Sequence, residues 1–378
     1  MIQNVKRFLV VFLVFIFLTG CNSYTEVTNE KTNLEDGQAI ETENNHEKDN
    51  DLKNHDKVEN EQSKEQNKEK EEKDLKSTID LSVKPNEAGK IMILMYHNIG
   101  SKESDWVRTP ENFRKDLKTL YEKGYRAISL KDFVNNNIDV EAGCTPVVIT
   151  FDDGNRNNFN IISKDGEKTI DPNCAVGIME QFNKQYPDFS ATATFFLNGT
   201  NPFRQSKLLE YKLNYLIDNG FHIGNHTYGH ENLTKLGPTE IQEAIGKNAI
   251  YLENIVKDYK INTLALPYGS RPRKEYYKYL EKGQYKGKRY ENIAILNVGS
   301  NPAYSPIDKR FNPASLPRVR ASEMNVQGLG LYDWLEYFDN NPEERFISDG
   351  NANIITVPKK FEDRIDNEKV DEKELYIY

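Results

Sequence analysis

The sequence has few cysteines and no excess of positive charge. Its 378 residues include three cysteines, and 59 acidic residues outnumber 50 Lys and Arg to give a net charge of −9. Three cysteines are too few for a disulfide-built scaffold, and an acidic chain is a poor partner for nucleic acid. No glycine-rich phosphate fingerprint follows an early strand, which disfavours a nucleotide-binding fold.

The N-terminus has the features of a secretory signal peptide. Lys6 and Arg7 precede an apolar run over residues 8–18, which is too short to span a bilayer as a mature helix. The sequence Leu-Thr-Gly-Cys that ends at Cys21 resembles the lipobox of bacterial lipoproteins. This predicts a signal peptide over residues 1–20 and lipidation of Cys21, with the protein anchored on the extracytoplasmic face of the cell membrane. The alternative is an ordinary signal peptide whose cleavage site contains a cysteine.

Residues 21–88 form a polar segment. They are rich in Glu, Lys, Asn, Asp and Gln, and they cannot bury enough apolar surface to offset chain entropy. We interpret the segment as a disordered tether that holds a domain over residues 89–378 away from the membrane.

The domain alternates between strand and helix patterns. Apolar runs at 91–96, 147–151, 191–197 and 292–298 are typical of buried strands, and a last strand is predicted at 353–357. This alternation predicts a parallel α/β architecture, either a (β/α) barrel or an open doubly wound sheet. In both, side chains that follow strands gather at one face.

Two adjacent carboxylates, Asp152 and Asp153, follow the strand at 147–151. One could hold a cation while the other moves protons. The alternative is that both residues cap a turn or the next helix.

Two histidines lie four residues apart, His226 and His230. Both could reach one cation, or both could be solvated loop residues. Joined to one carboxylate they give a set that leaves positions open for water and substrate, which is typical of a catalytic metal.

Three motifs in this order resemble the polysaccharide deacetylase family, the NodB-like group also called carbohydrate esterase family 4. They are Thr-Phe-Asp-Asp-Gly at 150–154, Ala-Thr-Phe-Phe at 193–196 and Gly-Asn-His-Thr-Tyr-Gly-His at 224–230. The resemblance implies a distorted (β/α) barrel and metal-dependent removal of N-acetyl groups from amino sugars of peptidoglycan or a surface polysaccharide.

The same resemblance implies residue roles. Asp153, His226 and His230 would hold a divalent metal, with zinc as the first choice and cobalt or nickel as alternatives. Asp152 would be the general base that takes a proton from a metal-activated water. The Pro267-Tyr268 segment would supply a backbone N–H to the oxyanion.

The sequence departs from the family pattern in three places. No Arg precedes Pro267, the usual Asp-Ser-x-Asp-Trp motif has no match, and no histidine follows His230. In the family the Arg orients the base, and Arg318 or Arg320 could replace it or could simply cover the surface. Arg318 is also a candidate substrate contact, together with Pro267 and Tyr268.

An early histidine could replace the missing late one. Tyr96-His97 resembles the opening motif of the exopolysaccharide deacetylase branch, so we predict that His97 protonates the leaving amine. The alternative is a strand-end histidine that makes a local hydrogen bond. His222 is expected to pack beside the site strand. Cys144 and Cys174 could pair or remain free thiols.

Three functions compete at this stage. The first is a membrane-tethered deacetylase, and the second is a deacetylase-like lipoprotein that binds wall polysaccharide with little or no turnover. The intact Asp and His residues favour the first, whereas the missing Arg and late His favour the second. An amidase for a small non-sugar amide is the third and is less consistent with a tether to a wall-facing membrane.

Overall fold

A computed structural model describes residues 77–199 and 201–378. The predicted signal peptide, Cys21 and the tether as far as residue 76 lie outside the described residues. Within the described part of the chain, no helix is both long and apolar enough to cross a bilayer.

The described residues form helices and strands in alternation. The helices are α1 Pro110–Glu122, α2 Leu130–Val134, α3 Ala175–Gln185, α4 Leu209–Asp218, α5 Pro238–Ile255, α6 Lys278–Glu281 and α7 Leu331–Asn340. The first eight strands are β1 Met92–Tyr96, β2 Asn98–Ile99, β3 Val107–Arg108, β4 Tyr125–Ile128, β5 Thr145–Phe151, β6 Ile161–Lys164, β7 Glu167–Ile170 and β8 Thr194–Leu197. The others are β9 His222–Asn225, β10 Thr263–Ala265, β11 Lys282–Tyr285, β12 Lys288–Glu291, β13 Ala294–Leu296, β14 Val319–Arg320, β15 Ile354–Val357 and β16 Glu374–Ile377.

Local sequence signals explain where α1 begins and ends. The Thr109 side chain accepts a hydrogen bond from the Asn112 N–H, and Pro110 occupies the first helical position. Gly124 follows with a φ of +79°, a conformation that glycine adopts without steric cost. Phe113 and Leu117 on one face of the helix are completely buried against the sheet.

The main sheet is a curled parallel sheet. Its strand order is β13-β10-β9-β8-β5-β1-β14, and β4 pairs with the first half of β5. Every pairing in this sheet is parallel, and a parallel bridge between Leu296 and Leu316 links its two edges just before β14 begins. The fold is therefore the distorted (β/α) barrel that the resemblance predicted, rather than an open doubly wound sheet.

The side chains of β1 and β5 alternate between two apolar clusters. Leu94 and Ile149 pack in the layer between sheet and helices, whereas Ile93 and Val148 pack inside the barrel. Because side chains alternate along a strand, the inward series of β5 continues through Thr150 to Asp152. The fold thus places Asp152 at the carboxyl-terminal mouth of the barrel.

A glycine makes room for the barrel lining at β9. A Cβ at Gly224 would lie 2.4 Å from two ring atoms of Phe196 and 2.9 Å from the Thr263 hydroxyl. Only a residue without a side chain fits between these neighbours, and His226 follows two residues later on the same inward face.

Two details of the strand prediction were wrong or incomplete. Residues 354–357 are not the last strand, because Glu374–Ile377 follows and pairs with them in parallel in a separate two-stranded sheet. Residues Asp165 and Gly166 form the turn of an antiparallel hairpin of β6 and β7, which had not been predicted either. A second hairpin, β11 and β12, turns at Lys286-Gly287 and had not been predicted.

Candidate active site

His97 and Asp152 lie side by side at the barrel mouth. They directly follow β1 and β5, whose last residues Tyr96 and Phe151 pair in register. Nε2 of His97 is 4.0 Å from Oδ2 of Asp152. This separation is too long for a hydrogen bond but leaves the imidazole next to the carboxylate.

Arg318 holds the Asp152 carboxylate from behind. Its two terminal nitrogens donate to Oδ1 and Oδ2 of Asp152 at 2.8 and 2.7 Å, and its Nε donates to the carbonyl of Asn297. Both side chains are buried, with 0% of Arg318 and 1% of Asp152 exposed. The pair has the bidentate geometry that guanidinium and carboxylate groups favour.

This pairing sets the charge of Asp152. Burial alone would raise the pKa of the Asp152 carboxyl, but the Arg318 guanidinium outweighs it and holds the pKa well below the usual range. Asp152 is therefore an ionised acceptor with a fixed orientation.

Arg318 occupies the role of the missing motif Arg, although it comes from the opposite edge of the sheet. It contacts the carboxylate rather than open solvent, so its expected place beside the substrate with Pro267 and Tyr268 is corrected to a place behind Asp152. Arg320 lies elsewhere, over the ring of Trp106.

Asp153, His226 and His230 converge on one point. The Nε2 atoms of the two histidines lie 3.5 and 3.3 Å from the same oxygen of Asp153. One donor atom from each of the three residues falls within 4.8 Å of the others, as ligands of a single ion require. A carboxylate with two imidazoles is a donor set that suits zinc, cobalt or nickel.

A backbone carbonyl fixes the orientation of His226. Nδ1 of His226 is 2.9 Å from the carbonyl oxygen of Ala265 on β10. Because a carbonyl only accepts, Nδ1 carries the proton and Nε2 presents its lone pair to the cluster. Burial alone would lower the pKa of His226, but the carboxylates of Asp152 and Asp153 outweigh it and raise the pKa. The cluster therefore favours positive charge.

Three residues around this point have left-handed backbone conformations. The φ angles are +74° at Asp153, +55° at His230 and +58° at Tyr268. Such angles are costly for an aromatic residue and are typical of sites where surrounding structure imposes a side-chain position.

The predicted residues share one cavity of about 540 Å³. His97, Asp152, Asp153, His226, His230 and Tyr268 line it together with Trp106. Pro267 is buried at the turn beneath Tyr268, whose side chain is 67% exposed and whose ring packs against His230 with 4.5 Å between centroids.

Sequence reasoning missed Trp106. It is 43% exposed and its ring lies 4.6 Å from that of His97. It comes from the loop between β2 and β3, where no periodic pattern marks it, and the loop itself is held by the buried Arg108–Asp116 ion pair. The sequence signal that could have identified Trp106 is a lone tryptophan in a polar loop.

The remaining candidates lie outside the cavity. His222 is at the start of β9, at the end of the barrel away from the site, where burial lowers the pKa of its imidazole. Cys144 and Cys174 are both free and buried, which resolves the two alternatives left open for them.

Comparison with known proteins places part of the chain in a family. Residues 139–286 match the family model described as polysaccharide deacetylase. This range includes Asp152, Asp153, His226 and His230, but His97 and Arg318 lie outside it. No curated protein matches the chain.

Several solved structures align with parts of this chain. A Streptococcus pyogenes deacetylase, PplD in complex with acetate, has 18% identity and a TM-score of 0.47 over 65% of this chain and 97% of its own. A polysaccharide deacetylase from Bacillus cereus has 20% identity and a TM-score of 0.46 over 63% and 67%. A CE4 family pseudoenzyme from Bacillus anthracis has 30% identity and a TM-score of 0.22 over 27% and 33%.

Proposed function

We propose that this chain, whose residues 139–286 match the polysaccharide deacetylase family model, is a metal-dependent N-deacetylase of an amino-sugar polymer. The observation that carries this proposal is the Asp153–His226–His230 cluster beside an Asp152 carboxylate that Arg318 clamps from behind. Both lie in one cavity.

The three clustered residues suit a divalent metal. Two imidazole nitrogens and a carboxylate oxygen meet around one point, and the Ala265 carbonyl orients the more buried imidazole. Held by these three residues, a divalent metal would supply Lewis acidity to a water and to the acetyl carbonyl. This would matter for Asp152, because a carboxylate with a low pKa accepts a proton only from an acidified donor.

Asp152 is the proton acceptor in this proposal. Arg318 keeps it ionised and fixes both oxygens, and the carboxylate borders the cavity where water and the acetyl group would meet. The backbone N–H at Tyr268, in the turn after β10, is the proposed donor to the oxyanion.

His97 is the proposed proton donor to the leaving amine. Burial lowers the pKa of its imidazole, and the neighbouring Asp152 carboxylate only partly offsets this effect. His97 is therefore neutral near pH 7 and must first take up a proton. Asp152, 4.0 Å away, is the adjacent group that could pass on the proton it has accepted.

The substrate and location are also proposals. A signal peptide over 1–20 and a lipid on Cys21 would tether the domain to the outer face of the cell membrane. Peptidoglycan or another acetylated amino-sugar polysaccharide would then be the polymer within reach.

Acetate release from acetylated glucosamine oligomers and from peptidoglycan, measured with and without a chelator, tests the proposal. We expect release that the chelator abolishes and zinc restores. If no polymer yields metal-dependent acetate, the proposal is wrong, and the binding-protein and small-amide amidase alternatives still stand. His97→Ala tests the acid role separately, since turnover at the wild-type rate would exclude it.

One of the two observations that favoured a binding protein no longer does so. These observations were the missing motif Arg and the missing late histidine, but Arg318 supplies the guanidinium at Asp152. The late histidine remains absent from the sequence, so metal-dependent acetate release by the wild-type protein is what separates the two functions.

A further inference from the structure

A smaller cavity adjoins the one that holds the candidate active site. Its volume is about 200 Å³, against about 540 Å³ for the larger cavity. Trp106 and Val298 line both, so the two spaces are neighbours across these side chains. The rest of its lining is mostly apolar, with Arg320 and Ser300 as the polar members.

Arg320 is a half-buried cation beside this space. Its guanidinium carbon lies 5.0 Å from the centre of the Trp106 ring, and one terminal nitrogen donates to the carbonyls of Met324 and Asn325. Among the described residues no carboxylate oxygen approaches the guanidinium within the 4.0 Å of an ion pair. A cation of this kind favours an anion from outside the chain.

The acidic side chains of the two neighbouring loops, one between β2 and β3 and one after β14, have other partners. Glu103 and Glu323 pair with Arg108 at 3.2 and 3.0 Å. Asp105 accepts a hydrogen bond of 2.7 Å from the Asn325 amide. Arg320 is thus without a carboxylate partner among the described residues, although these carboxylates will weaken its attraction for anions at long range.

We propose that the smaller cavity binds a carboxylate that the substrate carries within one sugar unit of the acetyl group, and that Arg320 recognises it. The small volume suits a short acidic substituent rather than a second sugar chain. The inference rests on the proposed function, because it requires the acetyl group to occupy the larger cavity. It identifies the substrate as an acidic amino-sugar polymer.

The first test needs only the wild-type protein. Peptidoglycan glycan strands with free lactyl carboxylates are compared with the same strands after those carboxylates are converted to methylamides. We expect kcat/KM for acetate release to fall about tenfold on amidation, as for the loss of one charge-assisted contact partly screened by water. Equal values for the two strands would overturn the inference.

The second test assigns the effect to Arg320. Arg320→Gln should remove the preference for the free carboxylate, mainly through KM, and Arg320→Lys should keep part of it because the charge remains. The matched control is Lys102→Gln, which removes an exposed charge from the loop that carries Trp106 without lining either cavity. A preference that survives Arg320→Gln unchanged would exclude this residue.

The outcomes also separate the two proposals. Metal-dependent acetate release from neutral and acidic strands at equal rates would leave the deacetylase proposal standing and overturn the carboxylate site. Absence of acetate release from every strand would instead remove the deacetylase proposal. If Arg320→Gln fails to fold, the comparison of wild-type protein on the two strands still decides the question.

Discussion

The two carboxylates that follow β5 have opposite surroundings. The Asp152 side chain is 1% exposed and receives two hydrogen bonds from Arg318. The Asp153 side chain is 28% exposed and has two imidazole nitrogens near one of its oxygens. Adjacent residues in a strand-to-loop turn therefore have different partners, because one faces into the barrel and the other faces the loops above it.

The difference separates two kinds of charge compensation. On the Asp152 side, the guanidinium of Arg318, directly before β14, neutralises the carboxylate within the protein. On the Asp153 side, the neighbours are imidazoles, which are weak cations and good metal ligands. The following four predictions test this division, beginning with the largest expected effect.

Asp152→Asn keeps the shape of the base but removes its charge. We expect acetate release to fall by about 10²–10⁴-fold, the usual contribution of a general base, while zinc affinity stays close to the wild type. The matched variant is Asp153→Asn, which should lose about 100-fold or more in zinc affinity measured by calorimetric titration. Equal losses of zinc affinity in the two variants would show that the carboxylates do not divide the work.

Arg318→Met leaves Asp152 buried without a partner. The free energy of unfolding in urea should fall by about 3–5 kcal/mol, since an uncompensated buried charge is left behind. The double variant Asp152→Leu with Arg318→Met should recover most of this loss, because neither charge then remains. A single variant as stable as the wild type would contradict the buried ion pair.

Zinc should stabilise the folded chain through the Asp153 side alone. At a free zinc concentration about 100 times the dissociation constant, mass action adds about 2.7 kcal/mol to the free energy of unfolding. Thermal unfolding with zinc and with chelator measures the shift, and His230→Ala is the control that should lose it. A shift that persists in this control would place the metal elsewhere.

Gly224→Ala tests the barrel wall that positions His226. The added methyl would meet the Phe196 ring at 2.4 Å, so we expect a loss of about 1–3 kcal/mol in the free energy of unfolding. Combining it with Phe196→Leu should relieve part of this overpacking. If the single substitution is neutral in urea unfolding, the wall is more adaptable than the packing indicates.

The sequence predicted the parts of the fold and site that follow local patterns. Buried strands β1 and β5, the capped helix α1 and the position of Asp152 after β5 all come from periodicity and capping chemistry. The convergence of Asp153, His226 and His230 was expected from the family motifs, and the structure brings these residues together.

The sequence could not predict how deep each arginine side chain lies in the barrel. Arg318 and Arg320 are two residues apart and lie on the same face of the β14 segment, so periodicity cannot distinguish them. The first lies below the mouth and reaches Asp152, whereas the second is level with Met95 of β1 and reaches Trp106. Which arginine pairs with Asp152 depends on how the sheet closes, and this is a property of the whole chain.

The contact between His226 and Ala265 has a consequence for mutational tolerance. The acceptor is a backbone carbonyl, so no change of side chain at position 265 can delete it. A histidine oriented by a neighbouring Asp or Glu would lose its tautomer after a single codon change in that neighbour. In this chain a substitution at position 265 leaves the tautomer of His226 unchanged, provided that the new side chain still fits inside the barrel.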